Sequence, residues 1–416
     1  MANSDILKLS NDGKTVIGVY DKSVKSITIP DGVTKIRDRA FSDCSSLQSI
    51  DIPNCVTEIG EKVFHFCSSL QCINIPNSVT EIGESAFSGC SSLQSIDIPN
   101  SVTQIGEGAF WGCSSLQSID IPNSVTYIGE SAFRGCSSLQ NVDIPNSVTC
   151  IRESAFHGCS SLQSIDIPKS VTEIGIGAFF ECSSLQGVYI PDSVTFIWDG
   201  AFSCCSSLQS INVSKDNKHF ASVNGILFNK DLTVIVRFPE QYDVTEYVIP
   251  KSVTEIMWHA FSGCSSLKSI VIPNSITEIG VCEFHGCSSL QSIDIPKSVT
   301  EIGNGAFSDC SSLQSIVIPN SVTKIMWHAF SGCSSLKSID IPDSVTEIEY
   351  SVFEGCYSLE HIYLHYNEVE KLKVSENIFE GVNLDKCILH VPSGTRWAYR
   401  HHDVFKRFKN IVTTGF

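Results

Sequence analysis

Apolar residues recur along this chain at fixed steps of 23 positions. One step, Leu93 to Ser115, reads L-x-x-I-x-I-P-x-x-V-T-x-I-G-x-x-A-F-x-x-C-S-S. Within it Ser95-Ile96-Asp97-Ile98 alternates polar and apolar residues, so Ile96 and Ile98 point inward and Asp97 outward on a short strand. Pro99 has no amide to give a ladder and ends that strand, and Asn100-Ser101 turns the chain. Val102 to Ile105 is a second extended stretch with two apolar side chains for the interior. Gly106 then releases the backbone, and the spacing of Ala109, Phe110, Cys113 and Leu116 predicts one helical or 3₁₀ turn. A single coil of this kind buries almost nothing. Stacked, its Leu, Ile, Val, Phe and Cys side chains form continuous internal columns, so the pattern predicts an α+β repeat solenoid with parallel strands on one face.

The cysteine column counts the coils. Eight run from Cys44 to Cys205 and five from Cys264 to Cys356, with a 59-residue gap between the two series. Inside the gap, Gly225 to Pro239 holds two apolar runs joined by Asn229-Lys230-Asp231, a β-hairpin pattern, and Asp5 to Tyr20 holds another. Each leads into an I-P-x-x-V-T-x-I segment. The predicted organisation is an N-terminal hairpin cap (1–26), a first repeat block (27–211), a β-hairpin insertion (212–248), a second block (249–364) and a C-terminal cap (365–416). The two blocks are expected to share one continuous core. In the C-terminal cap, Cys387 to Pro392 reads as a final strand and Thr395 to Phe408 as a helix. Some fourteen coils at the strand spacing of about 4.8 Å predict a rod or shallow arc about 65–70 Å long.

Composition changes this picture little. The 416 residues no longer imply several globular cores, and 45 acidic against 28 basic residues, a net charge of −17, argue against a nucleic-acid binder. No run of 18 apolar residues marks a membrane span, and residues 1–10 lack a signal-peptide pattern, so the sequence as given reads as cytoplasmic. Of 19 cysteines, thirteen belong to the core column and behave as small buried hydrophobes. Parallel side chains in a column are poorly oriented for disulfides, and a line of ligands does not converge on zinc. Cys55, Cys72, Cys150, Cys204, Cys282 and Cys387 stand at positions mostly filled by polar residues, so several are expected at the surface, which favours a reducing compartment.

The motif I-P-x-x-V-T-x-I-G-x-x-A-F-x-x-C-x-x-L, from about Ile27 to Leu364, resembles the BspA-like, or Treponema-pallidum-type, leucine-rich repeat. Two further blocks are similar to bacterial members of that family: Asn217-x-x-Phe220-x-Ser222-x-x-Gly225-Ile-Leu-Phe228, and the ending from Leu389-His-Val-Pro392 to Ile411. The resemblance implies a surface location, adhesion, and binding of host matrix or plasma proteins. It transfers no binding residue, because the family's motif residues are structural.

Candidate sites therefore lie at outward positions and at departures from the repeat. The outward strand column reads Thr28, Asp51, Asn74, Asp97, Asp120, Asp143, Asp166, Tyr189 and Asn212, and later Asp294 and Asp340. Four stacked carboxylates, Asp97 to Asp166, repel one another and invite a basic partner; a cation is an alternative, and a plain solvated face a third. Among the departures, Phe66, Trp111, Tyr127, Phe180, Phe196 and Trp198 replace small or polar residues, and Phe180, Tyr189, Phe196 and Trp198 fall within two adjacent coils. Clustered exposed aromatics are interface anchors; the competing reading packs them under the insertion. The segment Ile256 to Ile270 recurs unchanged at Ile325 to Ile339, as a copied block would. His65, His157 and His285 share one repeat position several coils apart, and His361-x-x-x-His365 is a weak metal spacing on a strand. No catalytic motif is present, and no cofactor or metal is called for. The expected function is non-catalytic protein binding, as a surface adhesin or as an intracellular recognition scaffold. The oligomeric state stays open.

Overall fold

The computed structural model describes residues 6–415, and the chain divides into two compact units, residues 1–222 and 223–416. In the first, Leu7–Leu9 and Thr15–Val19 form an antiparallel hairpin; the predicted first residue of that hairpin, Asp5, lies outside the described residues. The second hairpin strand pairs in parallel with Lys35–Ile36 and so serves as the first rung of a ladder.

From there the coils stack into two ladders, one on each of two sides. One ladder stacks Ser26–Thr28, Ser49–Asp51 and Cys72–Ile73 and passes through bridges at Asn74, Asp97 and Asp120. It continues with Ser118–Asp120 on Asn141–Asp143, and with Ser164–Asp166, Gly187–Ile190 and Ser210–Val213. The second ladder stacks Lys35–Ile36, Glu58–Ile59, Glu81–Ile82, Gln104–Ile105 and Tyr127–Ile128, followed by Cys150–Ile151, Glu173–Ile174 and Phe196–Ile197. Pairing is parallel because the chain must travel a whole coil before it returns to the same side.

The third side corrects the expected helical turn. Amides alternate between partners in the same coil and in the next one: Ala86, Ser88 and Cys90 donate to Gly83, Ser85 and Phe87, whereas Ser85, Phe87 and Gly89 donate to Glu107, Ala109 and Trp111. A helix would spend all of these amides within one coil and leave none to join neighbours. The run instead passes twice per coil through left-handed backbone, at Gly108 (φ 58°) and Gly112 (φ 70°) in one coil and at Ser85 (φ 51°) and Gly89 (φ 75°) in the one before. Gly106 is not among these positions. A Cβ there would come within 2.7 Å of the Gly83 backbone, so this glycine serves close stacking rather than freedom.

The core follows from the columns. Eight phenylalanines from Phe41 to Phe202 stack face to face at 5.3–5.5 Å between ring centroids, tilted by only 1–13°. Beside them each column cysteine from Cys67 to Cys205 donates its thiol to the carbonyl of the phenylalanine 26 residues earlier, at 3.1–3.3 Å. A small side chain with a weak donor is what this position uses, and no disulfide joins one column cysteine to the next.

Asn217 finishes the first unit. Fully buried, it donates through Nδ2 to the carbonyls of Pro191 and Val194, and its Oδ1 accepts from the amides of His219 and Phe220. Ser222 Oγ donates to the carbonyl of Ile211.

The second unit repeats the plan. Ile226–Asn229 and Val234–Arg237 form an antiparallel hairpin whose second strand pairs in parallel with Glu255–Ile256. An eight-stranded sheet follows, from Glu246–Val248 to Asn410–Thr414. Its end differs from expectation. Ile388–Pro392 is not the final strand, because Asn410–Thr414 pairs in parallel beyond it. The helix expected over 395–408 is broken into Arg396–His401 and a 3₁₀ turn at Phe405–Arg407. Residues six apart stand about 120° apart around a continuous helix, yet Tyr399 and Phe405 are both fully buried, with ring centroids 5.5 Å apart. The break at His402 turns both inward.

Candidate binding surface

Ladder register decides what stands beside what. Thr28 sits beside Asp51, Asn74 beside Asp97, Asp97 beside Asp120, and Asp120 beside Asp143; Asp166 sits beside Tyr189, which sits beside Asn212. Asp97, Asp120, Asp143 and Asp166 are all exposed, and the ion pairs of the first unit, Lys22–Asp43, Lys35–Glu58, Lys62–Glu84 and His157–Glu181, lie elsewhere. Like charges at the strand spacing repel by about 0.9 kcal/mol per adjacent pair in water, a cost that a basic partner would turn into attraction.

The equivalent column of the second unit is different. Val248, Val271, Asp294, Val317, Asp340, Tyr363, His390 and Val412 stand in unbroken register. Val248 and Val317 are 67% and 70% exposed. The carboxylates Asp294 and Asp340 therefore alternate with apolar residues instead of continuing a stripe. Counting in steps of 23 from Val248 would have exposed this; following the aspartates alone did not.

A second acidic column also escaped the sequence reading. Glu61, Glu84, Glu107, Glu130 and Glu153 occupy one position on five successive coils beside the second ladder. At its start a cleft of about 570 Å³ is lined by Lys35, Arg37, Asp38, Glu58, Glu61 and Glu81 among others.

The four aromatic candidates do not make one patch. Phe196 and Trp198 pack together on the second ladder, 4.7 Å between centroids, and Trp198 Nε1 donates to Glu173. Tyr189, 53% exposed, belongs to the first ladder, and Phe180 lies half-buried against His157 on the turn side. Adjacent coils bring residues together only within a column, and these four occupy three different sides. Phe196 and Trp198 remain exposed rather than packed away. The copied segment places Trp258 and Trp327 alike at the surface, and Trp327 meets Tyr350 edge to face.

Of the off-register cysteines, Cys72 is exposed, Cys55, Cys150, Cys204 and Cys282 are half-buried, and Cys387 is buried. His157 and His285 face Glu181 and Asp309 across successive coils rather than one another. Among the described residues no three His, Cys, Asp or Glu side chains converge on a point that could hold a metal ion, and no helix is long and apolar enough to cross a membrane.

The sequence profile of the BspA type leucine rich repeat region matches in six copies, over residues 19–137, 103–230 and 237–360. The chain belongs to this family. It is similar to a leucine rich cell surface protein of Faecalibacterium prausnitzii, 34% identical over 86% of this chain and 92% of that one, with a TM-score of 0.66. A leucine-rich repeat protein of Bacteroides ovatus is 31% identical over 89% of this chain and 97% of its own, with a TM-score of 0.57. A leucine-rich repeat protein of Eubacterium ventriosum, 22% identical over 90% and 91% of the two chains, shares the fold at a TM-score of 0.56. No curated protein matches the sequence. Membership explains why the interior columns hardly vary: they build the BspA-type coil, and outward positions are left to differ.

Proposed function

We propose that this BspA-type repeat protein is a non-catalytic scaffold that binds another protein and is displayed at the cell surface. The observation that carries the reading is the contrast within each coil. The inward Phe and Cys columns repeat with hardly a change, while the outward column of the same strands runs from four aspartates to Tyr189 and Asn212 in one unit and to exposed valines in the other. Backbone order is already established before a partner arrives, so little conformational entropy is lost on association. The acidic face of the first unit, Asp97, Asp120, Asp143 and Asp166 ending at exposed Tyr189, suits a protein with a row of Lys or Arg side chains. Phe196 with Trp198 offers a separate aromatic anchor, whereas half-buried Phe180 has less to give. Host matrix and plasma proteins are the partners that family membership suggests.

The surface location draws support from the Faecalibacterium protein, which is described as a cell surface protein. An intracellular scaffold is the second reading, favoured by the exposed thiol of Cys72 and the half-buried thiols of Cys55, Cys150 and Cys282. Protease shaving of intact cells separates the two: cleavage supports display, and full protection with recovery in the cytosol overturns it. For binding, purified chain is tested against immobilised matrix and plasma proteins at low and high salt. Replacing Asp97, Asp120, Asp143 and Asp166 together by Asn should weaken capture of a basic partner and flatten its salt dependence. Undiminished capture by a folded variant would move the site off this face.

A further inference from the structure

We propose that His361 and His390 form a two-imidazole chelate for a divalent transition-metal ion of the nickel and zinc class, on the outward face of the C-terminal sheet. The strands His361–Leu364 and Ile388–Pro392 pair in parallel with His361 opposite Ile388 and Tyr363 opposite His390. Paired residues of a parallel ladder point to the same side, so the two histidines are diagonal neighbours on one face. His361 Nδ1 lies 3.0 Å from His390 Nε2. Imidazole nitrogens bind such ions at about 2.0–2.1 Å, so two of them on one ion, subtending about 90–110°, stand about 2.8–3.4 Å apart.

The surroundings support that use. Tyr363 stacks on His390 at 4.2 Å and 16°, which holds the ring in place. His390 Nδ1 has no hydrogen-bond partner, so the contact with His361 is the one that bears on which ring nitrogen carries the proton. Asp340, opposite Tyr363 on the next strand and paired with His365 at 2.6 Å, adds negative charge to the same face. With only two protein ligands, water completes the coordination shell. The histidine spacing apparent in the sequence, His361 to His365, is not the pair used; the ladder brings in a residue 29 positions away.

The test titrates Ni²⁺ at pH 7.5 into the full chain, free of any polyhistidine tag and with exposed Cys72 replaced by Ser. Calorimetry and thermal unfolding should show one equivalent that raises the unfolding temperature. His361→Asn and His390→Asn should each weaken that equivalent by about tenfold or more, and His365→Asn should leave it in place. If either variant folds poorly, imidazole NMR of the parent protein decides: paramagnetic Ni²⁺ should broaden both rings and spare His401. Nickel binding unchanged in both histidine variants, or no broadening at these two rings, would leave a plain hydrogen-bonded pair and overturn the proposal.

Discussion

Glu283 is the residue whose replacement should most improve this fold. It stands in the column that carries Ala260 and Ala306 in the adjoining coils, and it is 2% exposed. The Gly280 amide donates to its carboxyl, but Oε2 has no partner, and Glu278 and Glu255 add further negative charge. Burial above all pushes this carboxyl well above the carboxylate range, which favours its neutral form in the folded chain. The unfolded chain releases that proton above about pH 4.3, so rising pH costs the fold up to about 1.4 kcal/mol per unit until the folded carboxyl itself ionises. An unsatisfied oxygen adds about 1–3 kcal/mol. Against this, Glu283→Ala gives up about 0.8 kcal/mol for one buried methylene and some cavity cost. The net should be a gain of about 1 kcal/mol or more at neutral pH.

Urea unfolding read through hydrogen exchange at second-unit amides measures it, and the choice of pH window matters. His259, held neutral by burial and by Arg237 with its pKa lowered to about 4, contributes stability that is complete above about pH 6.5 and is lost as pH falls toward 4. Unfolded thiols ionise above about pH 8.5. Between pH 6.5 and 8 Glu283 should therefore dominate: the parent loses stability with rising pH, while Glu283→Ala and the isosteric Glu283→Gln do not. Equal stability and equal slopes for all three would refute the reasoning.

Phe133→Ala removes one ring from the middle of the first-unit stack and should cost about 3–5 kcal/mol in denaturant unfolding, because neighbours on both sides are fixed by their own coils. Asn217→Ala breaks four hydrogen bonds in a buried site and should destabilise the first unit by about 2–4 kcal/mol, with amide protection near Val194 and Phe220 lost first. Burial raises the column thiols, Cys44 to about 11 and Cys182 to about 12. The folded chain thus keeps protons that the unfolded chain loses, and stability should fall as pH climbs past about 8.5, by up to about 1.4 kcal/mol per buried thiol per pH unit. Alkylation mapped by mass spectrometry at pH 8 should mark Cys72 first and the column cysteines only on unfolding.

Much of the molecule was legible before any coordinates. The 23-residue step makes each residue's neighbours on the next coil the same residue type, so the Phe and Cys columns and the aspartate stripe follow from counting, and both hairpins from paired apolar runs outside the repeat. What counting cannot supply is the cross-section of a coil. Amides of the third side must bond neighbouring coils as well as their own, so left-handed turns replace the expected helical one. That cross-section also parts Tyr189 from the Phe196–Trp198 pair, though the three lie within ten residues. Outside the repeat the limit is sharper. His361 meets His390, Asn410–Thr414 adds a strand beyond Ile388–Pro392, and the chain breaks at His402 to bury Tyr399 and Phe405. A periodic sequence encodes its own register and therefore its columns. Contacts between columns, and those made once at the ends, depend on how the chain closes in three dimensions, and that was decided only by the tertiary structure.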